Sequence, residues 1–341
     1  MRRYLLKRLL LLPVTLFVIL ALNFGLAQLA PGGPVEAALS KPGLPPGAGL
    51  YRGGAGLDNT ERAKLAAQFG FDKPPLTRFL SMLRGDLTFH LGTSLSTGVP
   101  VARLIRERLP VSLALGLYST LLAYLVAIPL GLFKALRAGS RFDTASTLII
   151  LALYAVPGFL LAVLLLILFA GGGVWPLFPL RGLATPGAAS WPWPERLGDY
   201  AWHLVLPTLA LTAGGLAALT LLTRNAVLAE VEKLYMLAAR AKGLSERQAL
   251  LRHALPNALL VIAATLPGAF TAILFSPALM VEIVFSLPGL GQLGYQALLQ
   301  RDDPVIFGTL YVYMLVGLAA RLMGDVLLAW LDPRLDFSAR R

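Results

Sequence analysis

The chain has 341 residues, of which 57% are hydrophobic and 14% are charged, and its net charge is +12. This composition excludes an ordinary soluble domain, in which about a quarter of the residues are charged, and indicates an integral membrane protein. Because the basic residues lie mostly in short segments between apolar runs, nucleic-acid binding is not expected. The absence of cysteine excludes disulfides, and the three histidines are too scattered to favour a metal site.

Six apolar runs are long enough to cross a membrane as helices, because about 30 Å of hydrocarbon takes about 20 residues. They lie at about residues 9–29, 109–133, 145–170, 203–223, 257–284 and 305–331. We therefore expect an all-α membrane protein with six transmembrane helices. The first run is too long for the core of a signal peptide, so we expect it to remain as a helix. The expected parts are a first helix (1–30), an outer segment (31–107), a five-helix core (108–331) and a tail (332–341).

Clusters of basic residues in the short loops predict the orientation of these spans. Such clusters lie before the first span, in the loop between the second and third spans, and in the loop between the fourth and fifth spans. By the positive-inside rule these segments and both chain ends are cytoplasmic, which leaves 31–107 outside. Within that outer segment, residues 41–57 are rich in glycine and proline and show no periodicity. Four tryptophans lie in or next to a second outer loop at about 171–200: Trp175, Trp191, Trp193 and Trp202. Anchoring at the membrane interface is the favoured interpretation, and a site that stacks on sugars is the less favoured one.

The basic segment 224–256, between the fourth and fifth spans, is predicted to fold as two helices around a glycine corner. Good helix formers fill 231–242, and Gly243 follows where a left-handed C-terminal cap is needed. Ser245 and Gln248 then match a capping box, which starts a new helix.

Pro256 is expected to break or kink this second helix before the fifth span, because proline lacks the backbone N–H that a continuing helix uses. The elbow as a whole is too polar to span the membrane. It is either an interfacial helix that rests on anionic lipid or a docking element for a soluble partner. The residues alone do not separate these two interpretations.

Several stretches carry a resemblance to a known family of transport proteins. The stretch LAARAKGLSERQALLRHALPNAL, at 237–259, resembles the E-A-A, three residues, G, nine residues, I-x-L-P signature of bacterial ATP-binding cassette importer permeases. It departs from that signature at Leu237, where the family has Glu, and at His253, where it has Ile. This variant looks like that of the B-type permeases of dipeptide and oligopeptide importers. Further stretches agree along nearly the whole chain: RRYLLKRLLLLPV, LAPGGPV, FDKPPLTRFLSMLRGDLTFHLGTSLSTGVPV, VEIVFSLPGLGQLG, RDDPV and LDPR.

The resemblance implies a permease subunit of a binding-protein-dependent importer in the bacterial inner membrane. Its implied partners are a second homologous permease, two cytoplasmic ATPase subunits and an extracytoplasmic substrate-binding protein. ATP and magnesium are expected in the ATPase subunits and no cofactor in this chain. The chain has no G-x-x-x-x-G-K-[ST] phosphate loop and is not expected to be an enzyme. The resemblance also assigns ATPase docking to the elbow residues Ala238, Ala239, Lys242, Gly243, Leu244 and Ser245.

Peptides are the substrate that the resemblance favours. Similar permeases also serve oligosaccharides, nickel chelates and glutathione, so these substrates remain open. An ion-coupled secondary transporter is the less favoured alternative, because the sequence shows no inverted repeat of discontinuous helices and few intramembrane acids.

Five residues near the outer end of the fifth span and on the sixth span are candidates for gating or structural roles. Glu282 is either a gating or packing residue near the pathway or a simple interfacial carboxylate. Pro288 and Gly289 belong to a run rich in glycine that is either an ordinary loop or a cover over the pathway mouth. Arg321 and Asp325 are four residues apart on the sixth span, so we expect a structural ion pair, or a contact across the interface between permeases, rather than a substrate ligand.

Overall fold

The computed structural model describes residues 2–29, 73–275 and 277–331. The expectations for most of the outer segment, including the piece at 41–57, and for the tail at 332–341 lie outside these residues. Within the described part the chain is helical and has no β-strand, only two isolated bridges. This agrees with the predicted all-α class.

The helices are numbered in chain order within the described residues. They are α1 (Arg2–Leu29), α2 (Pro75–Leu87), α3 (Val101–Leu136), α4 (Arg141–Ala155), α5 (Gly158–Phe169), α6 (Trp193–Val231), α7 (Leu234–Ala241), α8 (Glu246–Ala249), α9 (Leu255–Ala264), α10 (Leu266–Phe275), α11 (Pro277–Val284), α12 (Leu290–Gln300) and α13 (Asp303–Leu331). A π-helical turn, Leu250–Ala254, joins α8 to α9.

Four helical segments of the described chain are long and apolar enough to cross a membrane. They are Val101–Leu136, Trp193–Val231, Glu246–Leu274 and Asp303–Trp330, and they correspond to the second, fourth, fifth and sixth predicted spans. The apolar stretch in α1, Leu10–Leu26, is shorter than these. By length and composition, the described residues therefore contain four candidate spans, or five if the bent pair described next is one span, and the sixth span stays a prediction.

The third predicted span is not a straight helix. It is divided into α4 and α5, of 15 and 12 residues, whose axes are bent by 96°. The bend lies at Val156, which has an extended backbone (φ −80°, ψ 121°), immediately before Pro157. A proline disfavours the helical conformation of the residue before it, so helix α4 ends there. Neither piece alone reaches the length of about 20 residues that a span requires.

The fifth predicted span begins earlier than expected and passes through Pro256 without a break. The helical path already starts at Glu246 and continues to Leu274. Just before the proline the helix widens into the π-helical turn, where the Leu255 N–H donates to the carbonyl of Leu250. In such a turn the bonds connect residues five apart, and it is often a single insertion within an α-helix. Of the two expected outcomes at this proline, a break or a kink, the break is absent, and the irregularity that the structure shows is the π-helical turn before it.

The chain forms two compact units, and the larger consists of Pro110–Gln292 together with the residues from Gly317 onward. Three apolar clusters form its core. One packs α3, α5, α6 and α11 together, a second lies beneath the elbow, and a third joins α3, α6 and α9. Central members of the three clusters are Leu115, Leu204, Val281, Val227, Met236, Leu250, Ala127 and Ile262.

The other unit consists of Arg2–Leu109 and Leu293–Val316. Aromatic packing joins its helices: the ring of Phe24 on α1 lies 5.4 Å from that of Phe79 on α2 and 6.1 Å from that of Phe307 on α13. Such ring pairs add to the stabilisation from burial alone.

A buried carboxylate fixes the loop that precedes α3 in this unit. Asp302 accepts hydrogen bonds from the hydroxyls of Ser94 (2.6 Å) and Ser96 (2.7 Å), and from the N–H groups of Leu95 and Ser96. Burial pushes the pKa of Asp302 upward, but these bonds to its ionised form hold it below its usual value. The loop is therefore held by a charged acceptor rather than by apolar packing alone.

Candidate functional site

The elbow is built on helix α7 and its glycine corner. Gly243 has a left-handed backbone with φ of +84°. Its N–H donates to the carbonyl of Arg240 (2.9 Å), and the N–H of Leu244 donates to that of Ala239 (3.3 Å). These two bonds define a Schellman motif, which satisfies the last carbonyls of a helix and favours glycine at this position.

A capping box starts the next helix, as the sequence predicted. The hydroxyl of Ser245 accepts from the N–H of Gln248 at 3.3 Å, and the side-chain carbonyl of Gln248 accepts from the N–H of Ser245 at 3.2 Å. The order of helix, glycine corner and helix is therefore present, with both helix ends satisfied by local bonds.

Helix α7 has two apolar faces, and only one of them is buried. Met236 is 1% exposed and packs with Val227 and Leu250 in the cluster beneath the elbow. On the opposite side Leu234 is 82% and Leu237 59% exposed. With Ala238 and Ala241, which are also exposed, they follow the spacing i, i+3, i+4 and i+7 and so form one stripe along the helix.

The sequence did not single out Leu234 and Leu237. A signal was nevertheless available. Residues 234–239 are apolar on every side of the helix, and that helix is too short, and too close to charged residues, to cross the membrane. Such a helix at a water-facing surface can bury only one face in its own chain, which leaves the other for a partner.

Five of the six elbow residues assigned to docking are accessible. Leu244 is partly exposed, and Ala238, Lys242, Gly243 and Ser245 are exposed. Ala239 is buried in the cluster beneath the elbow, against which Leu244 also packs. Ala239 therefore holds the turn in place and offers no surface to a partner.

A small polar network connects the elbow to the two neighbouring helices. Glu230, at the end of α6, accepts from the ammonium group of Lys233 and from the hydroxyl of Tyr235, each at 2.6 Å. The Tyr235 hydroxyl also accepts from the side-chain amide of Asn257, on α9, at 3.2 Å. Burial and the bond to Glu230 raise the pKa of Tyr235, so the hydroxyl stays protonated and remains a donor.

A second network, centred on Asp143, holds α3, α4 and α6 together. Asp143 accepts two guanidinium bonds from Arg224, at 2.9 and 2.6 Å, and lies 3.1 Å from the ammonium group of Lys134. Lys134 is fully buried, and its ammonium group also donates to the Ser146 and Thr147 hydroxyls. In the sequence, Lys134 and Arg224 are only two of the basic residues in the short loops that predict orientation. Their pairing with Asp143 could not be predicted, because residues so far apart along the chain leave no local signature.

Glu282 and Gly289, two of the predicted gating residues, lie in contact. Glu282 is fully buried and accepts from the Ser112 hydroxyl at 2.6 Å and from the Gln292 N–H at 2.8 Å. The Ser112 hydroxyl in turn accepts from the N–H of Leu290. A side chain at position 289 would occupy the space of the Glu282 carboxylate, so glycine is required for this close approach.

The other predicted residues are placed as follows. Pro288 is half-buried beside Gly289. On α13, Arg321 is exposed and Asp325 is half-buried one turn further along. Their ion pair stays a prediction. Within the described residues, no group of three or more histidines and acids is arranged to hold a metal.

Comparisons with known proteins identify the family. The model of the family described as "Binding-protein-dependent transport system inner membrane component" matches residues 127–337. The inner membrane ABC transporter permease protein YejB of Escherichia coli O157:H7 is 45% identical over the full length of both chains. The peptidoglycan transport system permease protein YejB of Agrobacterium fabrum is 42% identical, also over both full lengths. The oligopeptide transport system permease protein AppB of Bacillus subtilis is 30% identical over 99% of this chain and 100% of its own.

A solved structure shows the same fold. A chain of the MetNI methionine ABC transporter, in an inward-facing conformation, aligns with a TM-score of 0.53 and 19% identity, covering 68% of this chain and 98% of that one. Together with the family match over most of the sequence and the 45% identity to a permease, these findings show that the chain belongs to the family of inner membrane components of binding-protein-dependent transport systems, the permeases of ABC importers.

Proposed function

We propose that this permease imports di- or oligopeptides and is driven by ATPase subunits that bind the exposed face of α7. The chain is a transport subunit of an ABC importer and not itself an enzyme. The peptide substrate is supported by the names of relatives such as AppB, an oligopeptide permease similar along nearly its whole length.

One observation carries the docking part of the proposal: the apolar stripe of Leu234, Leu237, Ala238 and Ala241 is exposed on a helix whose C-terminal end is closed by the glycine corner. Apolar side chains aligned on a water-facing helix mark an interaction surface. The glycine corner and the capping box join α7 by local hydrogen bonds to the helix that begins at Glu246. A partner that moves α7 would therefore move that membrane helix with it.

The remaining parts of the assembly follow from this function. The ATPase subunits bind ATP and magnesium, a second homologous permease completes the pathway, and a binding protein delivers the substrate on the outer side. The elbow and both chain ends then lie on the cytoplasmic side of the inner membrane, and α1 together with the bent pair completes six spans.

The loop that contains Pro288 and Gly289 is proposed to cover the pathway at the outer side. Glu282 contacts this loop at Gly289 and supports it. The buried carboxylate, shared between the Ser112 hydroxyl and the Gln292 N–H, holds the loop in one position. Movement of that loop would require these bonds to break together. The predicted pair of Arg321 and Asp325 would stabilise the sixth span.

Peptidoglycan fragments are a second candidate substrate. A. fabrum YejB, 42% identical over both full lengths, is named as a peptidoglycan transport permease. Peptidoglycan fragments carry short peptides, so the two candidates share part of their chemistry and differ in the attached sugar.

Uptake by the assembled importer tests the substrate. The complex, with its binding protein, is reconstituted into vesicles that contain ATP, and entry of a labelled oligopeptide is measured with unlabelled competitors outside. We expect other oligopeptides to suppress uptake to the level without ATP, and oligosaccharides, a nickel chelate and glutathione to leave it unchanged. Suppression by an added peptidoglycan fragment but by no oligopeptide would favour the second candidate, and suppression by neither class of competitor would contradict both.

A further inference from the structure

A groove of about 570 Å³ lies beside the first two turns of α6. One wall is a single face of that helix, with Trp193, Arg196, Leu197 and Tyr200 at the spacing i, i+3, i+4 and i+7. The other wall is the preceding loop, which contributes only apolar side chains: Leu183, Ala184, Ala188 and Ala189. Arg196 is therefore the one lining residue with a formal charge.

The loop wall is held at a fixed distance from the helix. The carboxylate of Asp199 accepts from the Thr185 N–H at 2.8 Å and from the Thr185 hydroxyl at 2.6 Å. Asp199 also lies 3.4 Å from the ring nitrogen of His203. The acid nearest to Arg196 along this side of the helix is thus engaged elsewhere, and Arg196 forms no ion pair with any residue that the structure describes. The groove is preformed, and its cation is available to a ligand.

The position of the groove along α6 predicts that it lies at the level of the lipid headgroups. Helix α6 has 39 residues and is about 58 Å long, well beyond the 30 Å or so of hydrocarbon. Its uninterrupted apolar run begins near Leu204, so Arg196 lies about 12 Å further out along the helix axis. The tryptophans on either side, Trp191 and Trp202, are both partly exposed, as expected of an aromatic belt at this level.

We propose that this groove binds one anionic phospholipid, with the lipid phosphate on Arg196 and the upper acyl chain against Leu197 and Trp193. A cation beside an apolar surface matches a molecule that carries its charge next to a hydrocarbon chain. A guanidinium group suits a phosphate because it donates several hydrogen bonds in one plane. The site depends only on the membrane location of the chain and not on the substrate that the importer carries.

Quenching of tryptophan fluorescence tests this site in the purified, assembled importer. Phosphatidylglycerol with brominated acyl chains is titrated into the detergent-solubilised complex, and brominated phosphatidylcholine is the uncharged-lipid comparison. We expect a saturable quenching with phosphatidylglycerol that phosphatidylcholine produces only at much higher mole fractions. The variant Trp193→Phe should lose this saturable part, since Trp193 lines the groove.

Substitution of Arg196 distinguishes lipid binding in the groove from general binding of lipid to the membrane surface of the protein. Arg196→Gln should weaken the apparent affinity for phosphatidylglycerol about tenfold, as expected for the loss of one charge-assisted contact. Arg196→Lys should keep most of it, and Arg181→Gln, an exposed arginine of the same loop outside the groove, should change nothing. Equal quenching by the two lipids, or unchanged affinity in Arg196→Gln, would overturn the proposal. So would an unquenched Trp193, which would indicate that a partner protein covers the groove.

Discussion

Gly243 has the backbone conformation on which the elbow depends. Its φ of +84° lies in the left-handed region, and no neighbouring atom lies within 4 Å of the place where a side chain would begin. A substitution there is therefore disfavoured by the backbone alone and not by crowding. A residue with a side chain pays about 1–2 kcal/mol for this conformation, a β-branched residue more, and asparagine less.

We predict that Gly243→Val uncouples the importer while Gly243→Asn does not. Because about 1.4 kcal/mol changes an equilibrium tenfold, uptake and substrate-stimulated ATPase activity of the valine variant should fall about tenfold or more. The asparagine variant, with a side chain of similar size, should retain most of both. Parental activity in the valine variant would show that the glycine corner plays no part in coupling.

Asp86, at the end of α2, is a buried carboxyl that pairs with no cation among the residues that the structure describes. It is 3% exposed, and its Oδ2 atom has no hydrogen-bond partner in the described chain. Burial raises the pKa of Asp86 to about 6. The folded state therefore holds the proton more tightly than the unfolded state does. The stability that this provides is complete below about pH 4 and is lost as the pH rises through 6.

We predict that Asp86→Asn removes a pH dependence of thermal stability. The unfolding temperature of the parental protein should fall between pH 5 and pH 7 relative to that of the variant, whose amide does not ionise. Glu107→Gln, at an exposed position, should follow the parental curve. A parental curve that rises through this range relative to Asp86→Asn would contradict the assignment.

At the scale of elements, local signals predicted the elbow well and the membrane helices less well. The Schellman turn and the capping box at Ser245 involve residues within five positions of one another, so residue types alone reveal them. The bend at Pro157 also had a local signal, but the hydropathy of 145–170 was continuous and outweighed it. The π-helical turn before Pro256 arises from the way a continuing helix accommodates a proline, which hydropathy does not show.

The networks of charged residues could not be predicted, for a different reason. Asp143 and Arg224 are 81 residues apart, and Glu282 is 170 residues from Ser112. Their pairing depends on how the helices pack. In the sequence, Lys134 is one more positive charge of a cytoplasmic loop, whereas in the fold it is fully buried against Asp143.

We predict that Asp143→Asn destabilises the packing of α3, α4 and α6 by about 3–5 kcal/mol, because removing one partner leaves the buried Lys134 without its counterion. Thermal unfolding of the purified protein in detergent measures this. Glu232→Gln, an exposed acid on the same side of the molecule, should change stability by no more than about 0.5 kcal/mol. An Asp143→Asn variant as stable as its parent would show that the network contributes little.

At the scale of the whole molecule, the chain is one subunit of a larger assembly, and its surfaces differ accordingly. In the proposed assembly the apolar surface of the spans faces lipid and the second permease, whereas the stripe on α7 lies outside the membrane. We propose that its two large side chains, Leu234 and Leu237, anchor an ATPase subunit, since a few well-placed apolar residues carry most of the binding energy of an interface.

Copurification from native membranes tests this claim most directly. The chain is tagged, extracted in mild detergent, and its companions are identified and quantified by mass spectrometry. We predict that a second permease and ATPase subunits accompany the parental chain. The double variant Leu234→Gln, Leu237→Gln should retain the second permease but lose ATPase subunits about tenfold or more. Leu177→Gln, at a leucine that is 61% exposed, close to the 59% of Leu237, and that lies on the predicted outer loop, should keep both. Undiminished ATPase subunits with the double variant, or a parental chain that purifies alone, would contradict the account.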